Sequence, residues 1–231
     1  MSPTPHLDIW HHHGSMTSAS IVAAALLCAF ATTVVWQVAC RRIPEPVATD
    51  ESKRAYRDLA GPRLTLLVVL ASAASGSLVA HTAPSASWAI WAVLSTVGVV
   101  IAGLDAFTTW MPRSLAHWSW VVLAVAIAGT AFWSPAMAIA GLVGAVAAGL
   151  LFGLIWLISR QGFGFGDVRY MPLIGAATAT ISLNTFETAL ICGALLVVAW
   201  AIIDRAIHHR IRFLPWGPAY WLAALAALAL H

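Results

Sequence analysis

Two aspartates stand where long hydrophobic segments end, and they are the residues of this chain best equipped for chemistry. Asp105 closes one apolar run, in Gly103-Leu104-Asp105-Ala106-Phe107-Thr108-Thr109-Trp110-Met111-Pro112-Arg113. Asp167 follows a glycine-alternating stretch, Gly162-Phe163-Gly164-Phe165-Gly166-Asp167-Val168-Arg169. An ionisable side chain at membrane depth is costly and is a functional signal by default. Two carboxyls sharing one low-dielectric face separate their roles, one neutral as an acid and one ionised as a base. Such a pair can activate water against a peptide bond with neither a metal nor a side-chain nucleophile. Each aspartate alone also has a plain reading. Asp105 would be a helix-end residue solvated by headgroup water, and Asp167 the cap of the next helix.

The neighbours extend the idea. If the helix runs on past Asp105, Thr108 and Thr109 share its face and offer hydroxyls to its carboxyl. Pro112 then ends or kinks that helix. Glycines at every second position before Asp167 disfavour helix and let an extended backbone lie close to another chain. Gly164 and Gly166 would in that way position a substrate strand, as in peptide addition to a sheet edge; the alternative is a glycine-rich turn. Arg169 would anchor the segment to phosphate headgroups, orient a carboxyl, or be a simple inside-positive residue. Rival chemistries have little material. The histidines lie in the amino-terminal tail, in isolation (His81, His117, His231) or in the pair His208-His209, and Cys28, Cys40 and Cys192 are dispersed. No Cys-x-x-Cys, His-Glu-x-x-His, Gly-x-Ser-x-Gly or P-loop occurs. No metal site and no cofactor is expected.

The elements that must hold these aspartates follow from composition. Of 231 residues, 61% are hydrophobic and 9% charged, and the mean hydropathy is +0.85. A soluble domain carries about 25% charged residues, so a water-soluble globule is excluded. A net charge of +3 is too small for a phosphate footprint, which argues against nucleic acid as a partner. The expected fold is all-α, a polytopic membrane protein. Apolar runs predict eight spans: Ile21–Ala39, Leu64–Ala80, Trp88–Leu104, Trp118–Trp133, Ala136–Ile158, Met171–Leu183, Phe186–Ile203 and Trp216–Leu230. The sixth is short and the fourth and eighth marginal, so seven is the alternative count.

Every basic residue falls in one set of loops. Arg41, Arg42, Lys53, Arg54, Arg57 and Arg63 lie between spans one and two, and Arg113 between three and four. Arg160 and Arg169 lie between five and six, and Arg205, Arg210 and Arg212 between seven and eight. Basic loops stay in the cytoplasm, which puts both termini outside and both aspartates inside. Residues 1–20 read as a tail, with His11-His12-His13-Gly14-Ser15-Met16 resembling an expression-tag remnant. Residues 21–230 form a single transmembrane domain. Its loop at 41–63 reads as a solvated basic linker against the inner leaflet.

The same residues carry a family resemblance. Gly164-Phe165-Gly166-Asp167-Val168-Arg169 resembles the Gly-x-Gly-Asp-x-Lys signature of type IV prepilin peptidases, polytopic aspartic proteases of the inner membrane. Asp105, Thr108, Met111 and Pro112 are similar to that family's first-aspartate motif, and Leu214-Pro215-Trp216-Gly217-Pro218 to its Ile-Pro-Phe-Gly-Pro segment. The likeness covers 88–230, about 60% of the chain. It implies that Asp105 and Asp167 are catalytic and that the protein removes the leader of prepilin-like substrates at the cytoplasmic face. The partners it implies are a pilin with a hydrophobic amino-terminal helix and the lipid bilayer. Arg169 departs from the usual lysine, keeping charge but not geometry. The zinc-binding Cys-x-x-Cys of the larger bifunctional members is missing, so the compact form without methyltransferase activity is expected. Presenilin-type proteases share Gly-x-Gly-Asp, but their Tyr-Asp and Pro-Ala-Leu motifs do not occur. The alternatives are a proton-coupled transporter and a non-catalytic scaffold of a pilus-assembly machine.

Overall fold

The computed structural model describes residues 17–44, 55–159, 164–208 and 214–231, and all regular structure among them is helical. The histidine run of the tail lies outside these residues. Eight helical rods follow in order among the described residues: α1 (Ser18–Arg42), α2 (Pro62–Thr82), α3 (Ser85–Thr108), α4 (Arg113–Trp133), α5 (Pro135–Ile158), α6 (Phe165–Ala179), α7 (Leu183–His208) and α8 (Gly217–Ala229). Six of them, α1 to α5 and α7, are long and apolar enough to cross a membrane. With 15 residues in α6 and 13 in α8, these two reach about 22 and 20 Å at 1.5 Å per residue. That is short of a hydrocarbon core of about 30 Å. The marginal fourth run is therefore a full-length helix. Large apolar side chains such as Leu27, Phe30, Leu70, Val125 and Leu150 stand exposed around the bundle, a surface suited to lipid and not to water. The chain is a multi-pass membrane protein.

Local signals set the helix starts. Thr17 caps α1 through the Ser20 N–H, and Ser134 caps α5 through the Met137 N–H at 3.3 Å. Pro62, Pro135 and Pro218 occupy first-turn positions, where the missing N–H costs nothing. Connections are short: Ala83 and Pro84 between α2 and α3, Ser134 alone between α4 and α5, residues 180–182 between α6 and α7. Short links force antiparallel neighbours. The carboxyl ends of α1, α3, α5 and α7 thus gather with the amino ends of α2, α4, α6 and α8. The described arginines (Arg41, Arg42, Arg57, Arg63, Arg113, Arg169 and Arg205) all belong to that one end.

The pairs α1–α2, α5–α6 and α7–α8 pack as hairpins around α3. In α3, 72% of the apolar stretch is buried, against 11–33% in the other five long helices, so it is the central rod. Lipid tails are as apolar as leucine, so association relies on close packing and interhelical hydrogen bonds. Thr32 meets Ser72 at 2.7 Å and Ser75 meets Ser95 at 2.7 Å, joining α1 to α2 and α2 to α3. Midway along α3, Leu94–Gly98 widens into a π turn. Its carbonyls accept from outside the helix, Leu94 from the Trp221 indole at 3.3 Å and Gly98 from the Tyr170 hydroxyl at 3.1 Å. These bonds tie α8 and α6 to the central rod.

The linker between α1 and α2 is more than a solvated strap where it is described. Its 3₁₀ turn, Tyr56–Ala60, buries Tyr56 and Leu59, and the Tyr56 hydroxyl donates to the Trp110 carbonyl at 3.5 Å.

Backbones touch most closely where α5 meets α6. A methyl group on Gly144 would overlap the Gly175 carbonyl, and one on Gly175 the Gly144 carbonyl. Gly129 on α4 has open space around it. Gly144→Ala is expected to cost about 1–3 kcal/mol by overpacking and to lower the thermal unfolding midpoint in detergent. Gly129→Ala leaves that midpoint unchanged or slightly raised.

Candidate active site

The site forms where α3 ends and α6 and α8 begin. The helix runs on past the apolar run that ends at Leu104, carries Asp105, and stops at Thr108. Thr109 takes a left-handed conformation at φ 56°, its N–H bonded to the Asp105 carbonyl at 2.7 Å. For a β-branched residue that conformation is unusual. Thr108 compensates: its hydroxyl donates to the Leu104 carbonyl at 2.7 Å and accepts the Trp110 N–H at 3.2 Å. Thr108 therefore shapes the turn and does not bond the Asp105 carboxyl. Pro112 is buried and stands just ahead of α4, so it starts the next helix and does not break α3.

Asp105 is 5% exposed, and its carboxyl is met by the start of α8. The Gly217 N–H donates to Asp105 Oδ2 at 2.9 Å, and the Trp216 N–H bonds the same carboxyl. The first N–H groups of a helix have no partner within it, and an acid there is also favoured by the helix dipole. Here that acid comes from another helix, so one contact orients the carboxyl and satisfies α8. The approach is tight, since a methyl on Gly217 would sit 3.1 Å from Oδ2 and 3.0 Å from Met111 Cε.

Asp167, 9% exposed, lies in the first turn of α6. The glycine run is not wholly extended. Gly164 is extended (φ −68°, ψ 136°), exposed and at the cap, whereas Gly166 is already helical; Gly162 lies outside the described residues. A methyl on Gly166 would sit 2.9 Å from Met111 Cβ, so this glycine lets α6 begin against the loop that follows Asp105. Met111 thus lies between Gly166 and Gly217, and the three sequence motifs meet around it. Through Met111 the two acids come near enough for each charge to be felt by the other.

Arg169 turns away from the pair. Its guanidinium lies 4.5 Å over the Phe165 ring, and its carbonyl accepts the Trp120 indole N–H at 2.8 Å. Two buried tyrosines that give no signal in the sequence lie within electrostatic range of the carboxyls. Tyr170 lies in the field of Asp105 and Tyr220 in that of Asp167. Tyr220 packs edge-on against Phe152 at 5.3 Å, in a slot that a side chain on Gly193 would close. The signal for the α8 contact was present in Trp216-Gly217-Pro218, a helix start with bare N–H groups in an apolar chain. Among the described residues, no group of three or more His, Cys, Asp or Glu side chains gathers. The chain has no match among known protein families, curated proteins or solved structures.

The α8 contact carries a stability cost that can be measured. Asp105→Leu leaves buried N–H groups without an acceptor and is expected to cost about 1–3 kcal/mol. Asp105→Asn keeps an oxygen acceptor for Gly217, so its unfolding midpoint in detergent should lie near that of the unmodified protein and above that of Asp105→Leu.

Proposed function

We propose that this chain is a membrane-embedded aspartic endopeptidase that removes the leader of type IV prepilin-like substrates. The observation that carries the proposal is that two buried carboxyls, from separate segments brought together around Met111, lie within each other's field at one end of an apolar bundle. In a bundle that economises on polar groups, two like charges brought together work against stability and are retained for chemistry. The motif resemblance supplies the reaction class.

In this mechanism the dyad shares one proton and titrates as a unit. The ionised carboxyl takes a proton from a water as its oxygen attacks the scissile carbonyl. The neutral carboxyl donates its proton to the carbonyl oxygen. Collapse of the tetrahedral diol breaks the C–N bond, one proton passes to the leaving amine, and the dyad regains its starting state. Gly217 and Trp216 hold Asp105 in orientation, and Gly166 lets Asp167 approach it. Exposed Gly164 leaves backbone free for an extended substrate segment.

The topology belongs to the same proposal. All eight helices enter the bilayer, with α6 and α8 as short members that bring the carboxyls below the headgroups. The arginine-rich end faces the cytoplasm, and both termini lie outside. The membrane is then the cytoplasmic membrane of a bacterium or archaeon, and the substrate's own hydrophobic helix docks within the bilayer.

Two experiments test this. Co-expressed with a prepilin, the unmodified chain should remove the leader, and Asp105→Asn or Asp167→Asn should lower cleavage by at least about a hundredfold. Normal processing by either variant would overturn the dyad. Failure of the unmodified chain on any prepilin would favour the transporter or scaffold reading. For orientation, Ser134→Cys on intact cells should react with an impermeant maleimide, and Ser114→Cys only after lysis.

A further inference from the structure

A second feature lies on the other side of α6. A groove of about 510 Å³ runs between α4 and α5 over α6, with Trp120, Ala124 and Ala128 on one wall, Ala145 and Gly149 on the other, and Pro172 at its base. Its lining carries no charged side chain. Pro172 is five residues beyond Asp167, which turns it about 140° around the helix. The groove therefore opens toward lipid and away from the carboxyl pair.

The rim at the arginine-rich end differs in kind. Arg113 begins α4 on the stripe that continues through Trp120, Ala124 and Ala128. Arg169 precedes Pro172 by three residues on α6 and shares its face. Arg169 lies within the field of Arg113 at this end of the groove. Arg169 is held over Phe165, whose ring packs edge-on against Trp156 at 4.8 Å. Trp120 joins the two zones, since it walls the groove while its indole bonds the Arg169 carbonyl.

We infer that this face binds one anionic phospholipid, its phosphate between Arg113 and Arg169 and an acyl chain in the groove below. Two cations on the helices that frame an uncharged trough, both at its arginine-rich end, complement a molecule with an anionic head and an apolar tail. A guanidinium pair suits phosphate oxygens. A transmembrane helix would fill the trough but leave the arginines without a counter-charge. From Trp120 to Ala128 the wall offers about 12 Å to the chain. The site does not depend on the dyad's chemistry.

Titration of the purified full-length protein in detergent, followed by native mass spectrometry and thermal shift, tests this. Phosphatidylglycerol should bind in one copy about tenfold more tightly than phosphatidylcholine of the same chains. Inorganic phosphate at equal concentration should give no shift. Joint Arg113→Gln and Arg169→Gln should abolish the preference for phosphatidylglycerol. Ala124→Phe with Ala128→Phe fills the groove from its lipid-exposed wall, keeps both arginines, and should weaken binding of both lipids. Equal affinity for the two lipids, a shift with phosphate alone, a preference that survives loss of the arginines, or undiminished binding to the filled groove would each overturn the site. The unmodified protein's lipid preference and the filled-groove variant keep it falsifiable if the arginine variant does not fold.

Discussion

The hydrogen bond from the Gly217 amide to the Asp105 carboxyl joins residues 112 apart in the chain, and the site is organised around it. It meets two demands at once. A helix that begins inside a low-dielectric bundle must find acceptors for its first N–H groups, and a buried carboxyl must find donors. Each is the other's solution. Because the contact needs the backbone of α8 close to α3, a methyl at position 217 would crowd Asp105 and Met111. The Met111 side chain, set beside that contact, fixes how near α6 can come, and Gly166 lets it come close enough to bring Asp167 within the field of Asp105.

The remainder of the bundle follows the economics of a helix in lipid. With little hydrophobic drive between helices, packing depends on small residues and sparing hydrogen bonds. Gly144 against Gly175 closes α5 on α6. Serine and threonine pairs hold α1, α2 and α3 together. The π turn in α3 presents carbonyls to Tyr170 and Trp221, which anchors the two short helices to the central rod. The starts of α6 and α8 then meet the segment that ends α3, α8 at Asp105 and α6 at Met111.

How far this was legible in the sequence varies by residue. The helical class and six of the expected spans are recovered, because uncharged apolar runs of sufficient length have no other stable form in a bilayer. Asp105 and Asp167 stood out for the complementary reason, as charges with no solvent to explain them. The role expected for Thr108 was not recovered. Helical periodicity placed its hydroxyl beside the carboxyl, but the chain leaves the helix at Thr109 and the hydroxyl serves that turn. Alternating glycines suggest an extended segment or a turn, yet only Gly164 is extended; Gly166 is helical, and what that position uses is close packing against Met111. Tyr170 and Tyr220 gave no signal, since a lone tyrosine in an apolar stretch looks like any other core aromatic.

What the sequence by itself determined is therefore the class of the protein, the gathering of its cations into alternate loops, and the identity of its two exceptional acids. These depend on composition along the chain, and one dimension suffices to read them. Only the tertiary structure decided that Asp105 is held by the start of α8, that Asp167 lies within its field, and that the Arg169 guanidinium stacks on Phe165. Those facts rest on rotation about helix axes and on contacts as close as a missing methyl group allows. A shift of one residue along a helix turns a side chain by about 100°, and no pattern of residue types resolves that angle before the helices are packed together.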